Sequence, residues 1–323
     1  MKTYYCSGIE KEEQFFLDNS DEFYIQEIDP DAPDRYVYPN DNIKYELDDA
    51  LVSLYDKFRD VFFPNTSLYY AELSSLPIWV QEAGQNSDCS ISAKTFEQWS
   101  QPERQKDCSN LFRHLYLVDC QFLVGTIQNL LQGMDSAFVS YYISISSIGN
   151  NIRASGPNST MFQMSPSVTS ISSLLESYFT KAYSILDMLS KIGYELENPQ
   201  DDFAMYHKLK SAKLLWGSRK NLKINNTRGT LFEDCEIVRM IESLRNELVH
   251  NGSWELNPKV FVRFQDNIIV EKFMLFPDIS DGHLATVKNR RHFFETGSKV
   301  NYILPKFHQE FNHRLLQTVL LLN

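Results

Sequence analysis

The sequence predicts a mainly α-helical protein with an appended β-hairpin and a helical N-terminal extension. Three observations support that fold class. Apolar residues recur at spacings of three and four over several long stretches, the repeat of a helix with one buried face. Near residues 259–276 the repeat switches to two, the alternation of a half-buried strand. The 323 residues are 43% hydrophobic and 13% aromatic, enough to bury a core and too apolar for a largely disordered chain. That length suits one large or two modest domains, divided here into an extension over 1–105 and a helical domain over 106–323.

Taken in order, residues 1–43 are acidic and aromatic, with turn-rich pieces at Asp29–Asp34 and Pro39–Asn42 and short strands at Phe23–Ile28 and Tyr36–Tyr38. Residues 44–63 form an amphipathic helix carried by Leu47, Leu51, Leu54, Phe58 and Phe62, which Pro64 ends. Between Tyr69 and Val80 a short helix leads into an extended piece around Pro77. Residues 84–107 are polar and read as a long loop or domain seam. A second long helix spans 109–133 on Leu111, Leu115, Phe122, Ile127 and Leu130. Over 134–148 Ser, Tyr and Ile alternate, and helix and extended chain fit equally. Gly149–Ser167, with Gly156-Pro157 and Pro166, reads as a flexible connection. The broadest apolar stripe runs over 168–196, from Ile171 through Tyr178 and Ile185 to Ile192.

Charge narrows the function. The net charge of −11 argues against a non-specific nucleic-acid coat, because phosphate binding needs local positive charge. Two local exceptions stand out. Residues 206–228 hold the sustained basic stretch, with Lys213, Arg219, Lys220 and Lys223 around Trp216. Lysine and arginine there can grip phosphates while Trp216 offers a face for a base. Lys288–His292 is a second, smaller basic cluster. No phosphate-binding loop, zinc-protease or serine-hydrolase motif occurs, and no cofactor or metal is implied. The five cysteines, Cys6, Cys89, Cys108, Cys120 and Cys235, are scattered without a Cys-x-x-Cys pair and read as free thiols of a reducing compartment. No signal peptide and no apolar run of membrane-spanning length is expected, so a cytoplasmic protein without a membrane partner is predicted.

The stretch Ser243-Leu-Arg-Asn-Glu-Leu-Val-His-Asn-Gly-Ser-Trp254 closes a further helix. Ile237, Met240, Ile241, Leu244 and Leu248 keep helical spacing, and Asn251-Gly252 supplies a stop that tolerates left-handed backbone. Asn246 and His250, four apart, share a face, with Arg245 flanking it. Histidine can move protons near neutral pH, and the planar guanidinium fits phosphate. Together they suit attack of a ribose 2′-hydroxyl on the adjacent phosphorus. Beyond Trp254, Val260, Val262 and Phe264 alternate, Gln265-Asp-Asn267 turns, and Ile268, Val270 and Phe273 follow as the second arm of a hairpin. A last helix covers 303–322.

Arg245-Asn-Glu-Leu-Val-His250 resembles the Arg-x4-His signature of the HEPN superfamily (higher eukaryotes and prokaryotes nucleotide-binding). The resemblance implies a HEPN-like helical bundle over about 168–323 in which the 168–196 helix frames the cleft. It implies a metal-independent endoribonuclease of the toxin or antiviral, abortive-infection kind, with RNA as substrate. Arg245 and His250 would be the catalytic pair and Asn246 an orienting group. Glu176 and Asp187 would be candidates to steady them. Such sites are usually composite, so a homodimer is implied, and an antitoxin or other defence-system protein is a further expected partner. A non-catalytic member of the superfamily, binding RNA, nucleotide or a protein, would share the fold. An ordinary helix end, with Arg245 paired to Glu242 or Glu247, would share only the pattern. One departure is visible: members silenced by nucleotidyltransferase antitoxins often carry Tyr two residues after the His, where this chain has Gly252.

Overall fold

The computed structural model describes residues 1–13, 22–28, 35–40, 42–101 and 110–323. The turn-rich piece at Asp29–Asp34, part of the polar stretch (102–107) and Cys108 lie outside them. The protein is mainly helical with small antiparallel sheets, as the periodicity predicts. Its chain divides into two compact units. One holds residues 1–47, 130–184 and 227–318, the other 48–129, 185–226 and 319–323. Each unit draws segments from both sides of residue 105. Two long helices, α4 (Leu111–Ser147) and α5 (Pro166–Glu197), each contribute to both units, so a cut in sequence does not cut the packing.

The first unit opens with a four-stranded antiparallel sheet of β1 (Lys2–Tyr5), β2 (Glu10–Glu12), β3 (Tyr24–Glu27) and β4 (Tyr36–Val37), in the order β2-β1-β3-β4. Strands β3 and β4 fall where the sequence placed them; the pairing of β1 with both neighbours adds sheet to an extension expected to be mainly helical. The ambiguous 134–148 stretch is helix, the second half of α4. Met134, Ala137, Phe138, Tyr141, Tyr142 and Ile145 are buried in it at helical spacing, as is Ser146, while Ser136 and Ser147 are exposed.

The 149–167 connection is not wholly irregular. It contains β5 (Thr160–Gln163), which pairs antiparallel with β6 (Val260–Gln265) and turns the expected hairpin into a three-stranded sheet, β5-β6-β7, with β7 at Ile268–Phe273. Asp266 and Asn267, both at positive φ, make the two-residue turn between β6 and β7. A second, smaller hairpin, β8 (Ile279–Ser280) and β9 (His283–Leu284), turns through Asp281-Gly282, again both at positive φ. Helix α7 (Val300–Leu322) carries Pro305 within it. Pro305 has no N–H to give to the carbonyl of Asn301; the Tyr142 hydroxyl donates to that oxygen instead, at 2.7 Å.

In the second unit α1 (Ile43–Phe62) and α2 (Thr66–Leu73) are followed by α3 (Ala93–Trp99), which lies inside the stretch read as a loop. Ser92 caps α3 by accepting the Thr95 N–H at 3.0 Å. Phe96 and Trp99 of α3 pack on a cluster built from Val80, Leu111, Phe112 and Leu115. Seven residues with few apolar positions give too short a window for a periodic signal, so packing rather than propensity defines this helix.

Candidate active site

Helix α6 (Glu236–Asn251) carries the Arg-x4-His stretch in the first unit. Ile237, Val238, Ile241 and Leu244 are buried and anchor it, as their spacing predicts. Gly252 ends it at φ +88°, its N–H returning to the carbonyl of Leu248 at 3.1 Å. Trp254, fully buried, then packs edge-on against Phe179 of α5 and against Phe276. The C-terminal end of α6 is thus fixed against α5, and its last two turns are held in place for a site.

Asn246 and His250 are exposed and stand together in the wall of one open cleft of about 510 Å³. His250 has no hydrogen-bond partner among the described residues, so its imidazole caps no carbonyl there. Arg245 is half-buried beside the cleft. Its guanidinium lies over the Tyr183 ring of α5, 4.5 Å from the centroid, and donates to Asn246 Oδ1 at 3.1 Å. Arg245 and His250 are five residues apart, about 140° around the helix at 100° per residue, so they do not project together. Asn246 joins them: it accepts from Arg245 and shares the cleft with His250.

Glu247 does not pair with Arg245. It is buried, and its carboxylate accepts from Arg291 Nη1 at 2.9 Å and Asn251 Nδ2 at 2.9 Å, and meets His292 Nε2 at 2.9 Å. Burial by itself would push this carboxyl up, but the bonds from Arg291, His292 and Asn251 together outweigh it and hold the group below the usual carboxylate range. Through Glu247 the smaller basic cluster at Lys288–His292 is tied directly to α6, and Arg291 becomes part of the cleft wall. Strand β9 supplies His283 and Leu284 to the same lining.

Of the supporting residues, Glu176 reaches the end of α6 through Ser253, whose Oγ donates to Glu176 Oε1 at 3.0 Å. Burial raises the Glu176 carboxyl above its usual range, and the Ser253 bond only partly offsets that. Glu176 steadies the chain after the helix rather than Arg245 or His250. Asp187 is engaged elsewhere: its Oδ1 accepts the backbone N–H of Trp216 at 2.6 Å in the second unit. That bond fixes the 206–228 segment, which forms 3-10 turns at Lys210–Lys213 and Trp216–Asn221. Trp216 is fully buried with Arg219 over its ring, so the base-stacking face expected of it is closed. Lys213, Lys220 and Lys223 remain exposed.

Sequence reasoning did not single out His283, and it noted Arg291 only within a basic cluster. The usable signal was Asp281-Gly282, a two-residue hairpin turn that sets the next residue at the start of a strand. Among the described residues no group of three or more His, Cys, Asp or Glu side chains is placed to hold a metal ion. No helix among them is long and apolar enough to cross a membrane. No family model matches the chain, and neither does any curated protein or solved structure.

Proposed function

We propose that the chain cleaves RNA at the α6 cleft without a metal, as a HEPN-like endoribonuclease of the toxin or antiviral, abortive-infection type. The observation that carries this is the placement of Asn246 and His250 in one open cleft, the His250 ring without a partner among the described residues, and Arg245 held beside it by Asn246 and Tyr183. An exposed histidine with no structural bond to maintain is available for proton transfer. A guanidinium with one N–H on Asn246 keeps further donors for phosphate oxygens. The order of elements supports the same reading, since α5 precedes α6 and touches it at Tyr183 and, through Glu176, at Ser253.

In this reaction the 2′-hydroxyl gives its proton to a base, the 2′-oxygen bonds to phosphorus, and the 5′-oxygen leaves with a proton from an acid. The products are a 2′,3′-cyclic phosphate and a 5′-hydroxyl. His250 is one of the two proton-transfer groups. In a homodimer of the kind the resemblance implies, the other would be His250 of a second copy.

The test is incubation of the purified chain with single-stranded RNA in excess EDTA, followed by end-group analysis. Cyclic phosphate ends that disappear in His250→Ala are expected. Ends bearing a 3′-hydroxyl, or cleavage unchanged in His250→Ala, would overturn the proposal. RNA bound but left whole would point instead to a non-catalytic RNA-binding protein of the same fold.

A further inference from the structure

We infer that the α6 cleft is a complete phosphodiester site within one chain, in which His283 supplies the second proton-transfer group and Arg291 the phosphate clamp, opposite His250 and Asn246. Its chemistry rests on the cleavage proposed above; its geometry stands on separate observations.

His283 is not on a loose loop. Hairpin β8–β9 is docked on α6 at three points. The Leu284 N–H donates to Ser243 Oγ at 3.1 Å. Arg239 of α6 grips Asp281 twice, through Nε to its carbonyl at 2.9 Å and through Nη2 to its carboxylate at 2.5 Å. Gly282 presses so closely on α6 that a Cβ there would come within 2.6 Å of the Glu236 carbonyl oxygen. The turn between these contacts has positive φ at both residues. His283, between the turn and Leu284, is exposed, its ring has no hydrogen-bond partner among the described residues, and it lines the same cleft as His250.

Arg291 is constrained as firmly. One N–H is committed to buried Glu247, which tethers the guanidinium; the side chain is still 41% exposed and contributes to the cleft wall. It also walls a second hollow of about 570 Å³, lined by Asn289, Arg290, His292 and Phe293. The two hollows share Glu247, Asn251 and Arg291, so Arg291 stands where they adjoin, with Arg290 and Phe293 lining the second. Glu242, also in the cleft wall, is the acidic group that opposes a second phosphate there.

Two imidazoles and a guanidinium around one phosphate are sufficient for the balanced step. One neutral imidazole takes the 2′-hydroxyl proton as the 2′-oxygen bonds to phosphorus. The other, protonated, gives its proton to the departing 5′-oxygen. The clamp meets the charge that builds on the non-bridging oxygens. No second chain is required.

Two measurements on the full chain test this. In the first, adenosine 3′-monophosphate is titrated while the histidine ring signals are followed by NMR. The His250 and His283 signals are expected to move together with one dissociation constant, which Arg291→Gln raises at least tenfold. A His283 signal that stays still while His250 moves, or no movement of either, overturns the inference. In the second, His283→Gln is expected to slow RNA cleavage by about 10²–10⁴-fold. Mixing His283→Gln with His250→Ala is expected to restore nothing. Full activity in His283→Gln overturns the single-chain site while leaving the ribonuclease reading intact. Joint NMR shifts in a chain that cuts no RNA would overturn that reading and leave the phosphate site standing.

Discussion

Two histidine clusters in the same unit make opposite use of the same side chain. His308 of α7 is 2% exposed and both ring nitrogens are engaged. Nδ1 meets the Tyr178 hydroxyl at 2.9 Å, and Nε2 meets the Tyr38 hydroxyl at 2.9 Å and Asn312 Nδ2 at 3.0 Å. Its ring stacks on Phe138, centroids 4.3 Å apart. Asp135 stands 3.3 Å from Nε2; burial would raise its carboxyl, but His308 and Lys44 hold it below its usual range. This network ties β4's neighbour Tyr38 to α4, α5 and α7. At the α6 cleft, the rings of His250 and His283 have no such bonds among the described residues, and the buried charge of that cleft is Glu247. Satisfied histidines hold the fold; histidines kept open over a satisfied foundation are free to react.

The widest separation between the clusters is expected in rate. His250→Ala and Arg245→Ala should each lower RNA cleavage by about 10²–10⁴-fold without changing the melting temperature by more than a degree or two. His308→Ala should leave the rate per folded molecule unchanged. Single-turnover assays on each variant, normalised to folded protein by circular dichroism, decide this; a His308 variant that folds but fails to cut would show that the α6 cleft alone does not carry the reaction.

Stability should show the reverse order. Removing the His308 ring opens a cavity and takes away the partner of the buried Tyr178 hydroxyl, while the Tyr38 hydroxyl keeps Asp135; together this should cost roughly 3 kcal/mol. His250→Ala, at an exposed position, should stay within about 0.5 kcal/mol of the parent. Urea titration of the three proteins measures both. Equal losses would mean that the cleft histidine is structural after all.

Glu247 tests whether the foundation beneath the cleft is real. Glu247→Ala takes the carboxylate away from Arg291, which at 41% exposure can turn to water, so the loss should be about 1 kcal/mol, below the scale for a fully buried pair. The sign of the pH dependence follows from its depressed carboxyl. A folded-state pKa below the unfolded value near 4.5 contributes stability that is present above 4.5 and lost as pH falls through the folded value. The gap in stability between parent and Glu247→Gln should therefore be widest above about pH 5 and narrow below pH 4. A gap that widens with acid would show that the carboxylate is not the stabilising form.

How much of this could be read beforehand divides along contact range. Helix α6, its stop at Gly252 and the shared face of Asn246 and His250 follow from local spacing, and all three are present. So do β6, β7 and their turn. What escaped needs long-range contact. Strand β5 exists because β6 is there to pair with it, and short β1 and β2 hold because β3 closes the sheet. Trp216 looked like a surface aromatic among lysines because its burial depends on Asp187, 29 residues earlier. Glu247 looked like a partner for Arg245, but the residues that satisfy it lie 44 and 45 positions away. The shared face of Asn246 and His250 was legible; the side chains that β9 and the 288–293 loop bring to the same cleft were not.

The smallest expected effect concerns the basic segment in the second unit. Lys213, Lys220 and Lys223 are exposed, while Arg219 is spent on the Trp216 ring, so the segment offers charge without a stacking face. With a net charge of −11, attraction to RNA at long range is poor and any contribution must be local. Replacing the three lysines with glutamine should lower RNA affinity less than tenfold near physiological salt. It should also flatten the dependence of log K on log salt by about 2, at roughly 0.7 for each single-strand phosphate that is no longer neutralised. Cleavage at saturating RNA should not change, because none of the three lines the α6 cleft. Binding isotherms at several salt concentrations separate the outcomes. An unchanged slope would make the segment an ordinary solvated surface. The counterions released on binding would then have to come from the basic cluster at Lys288, Arg290 and Arg291, beside the open histidines.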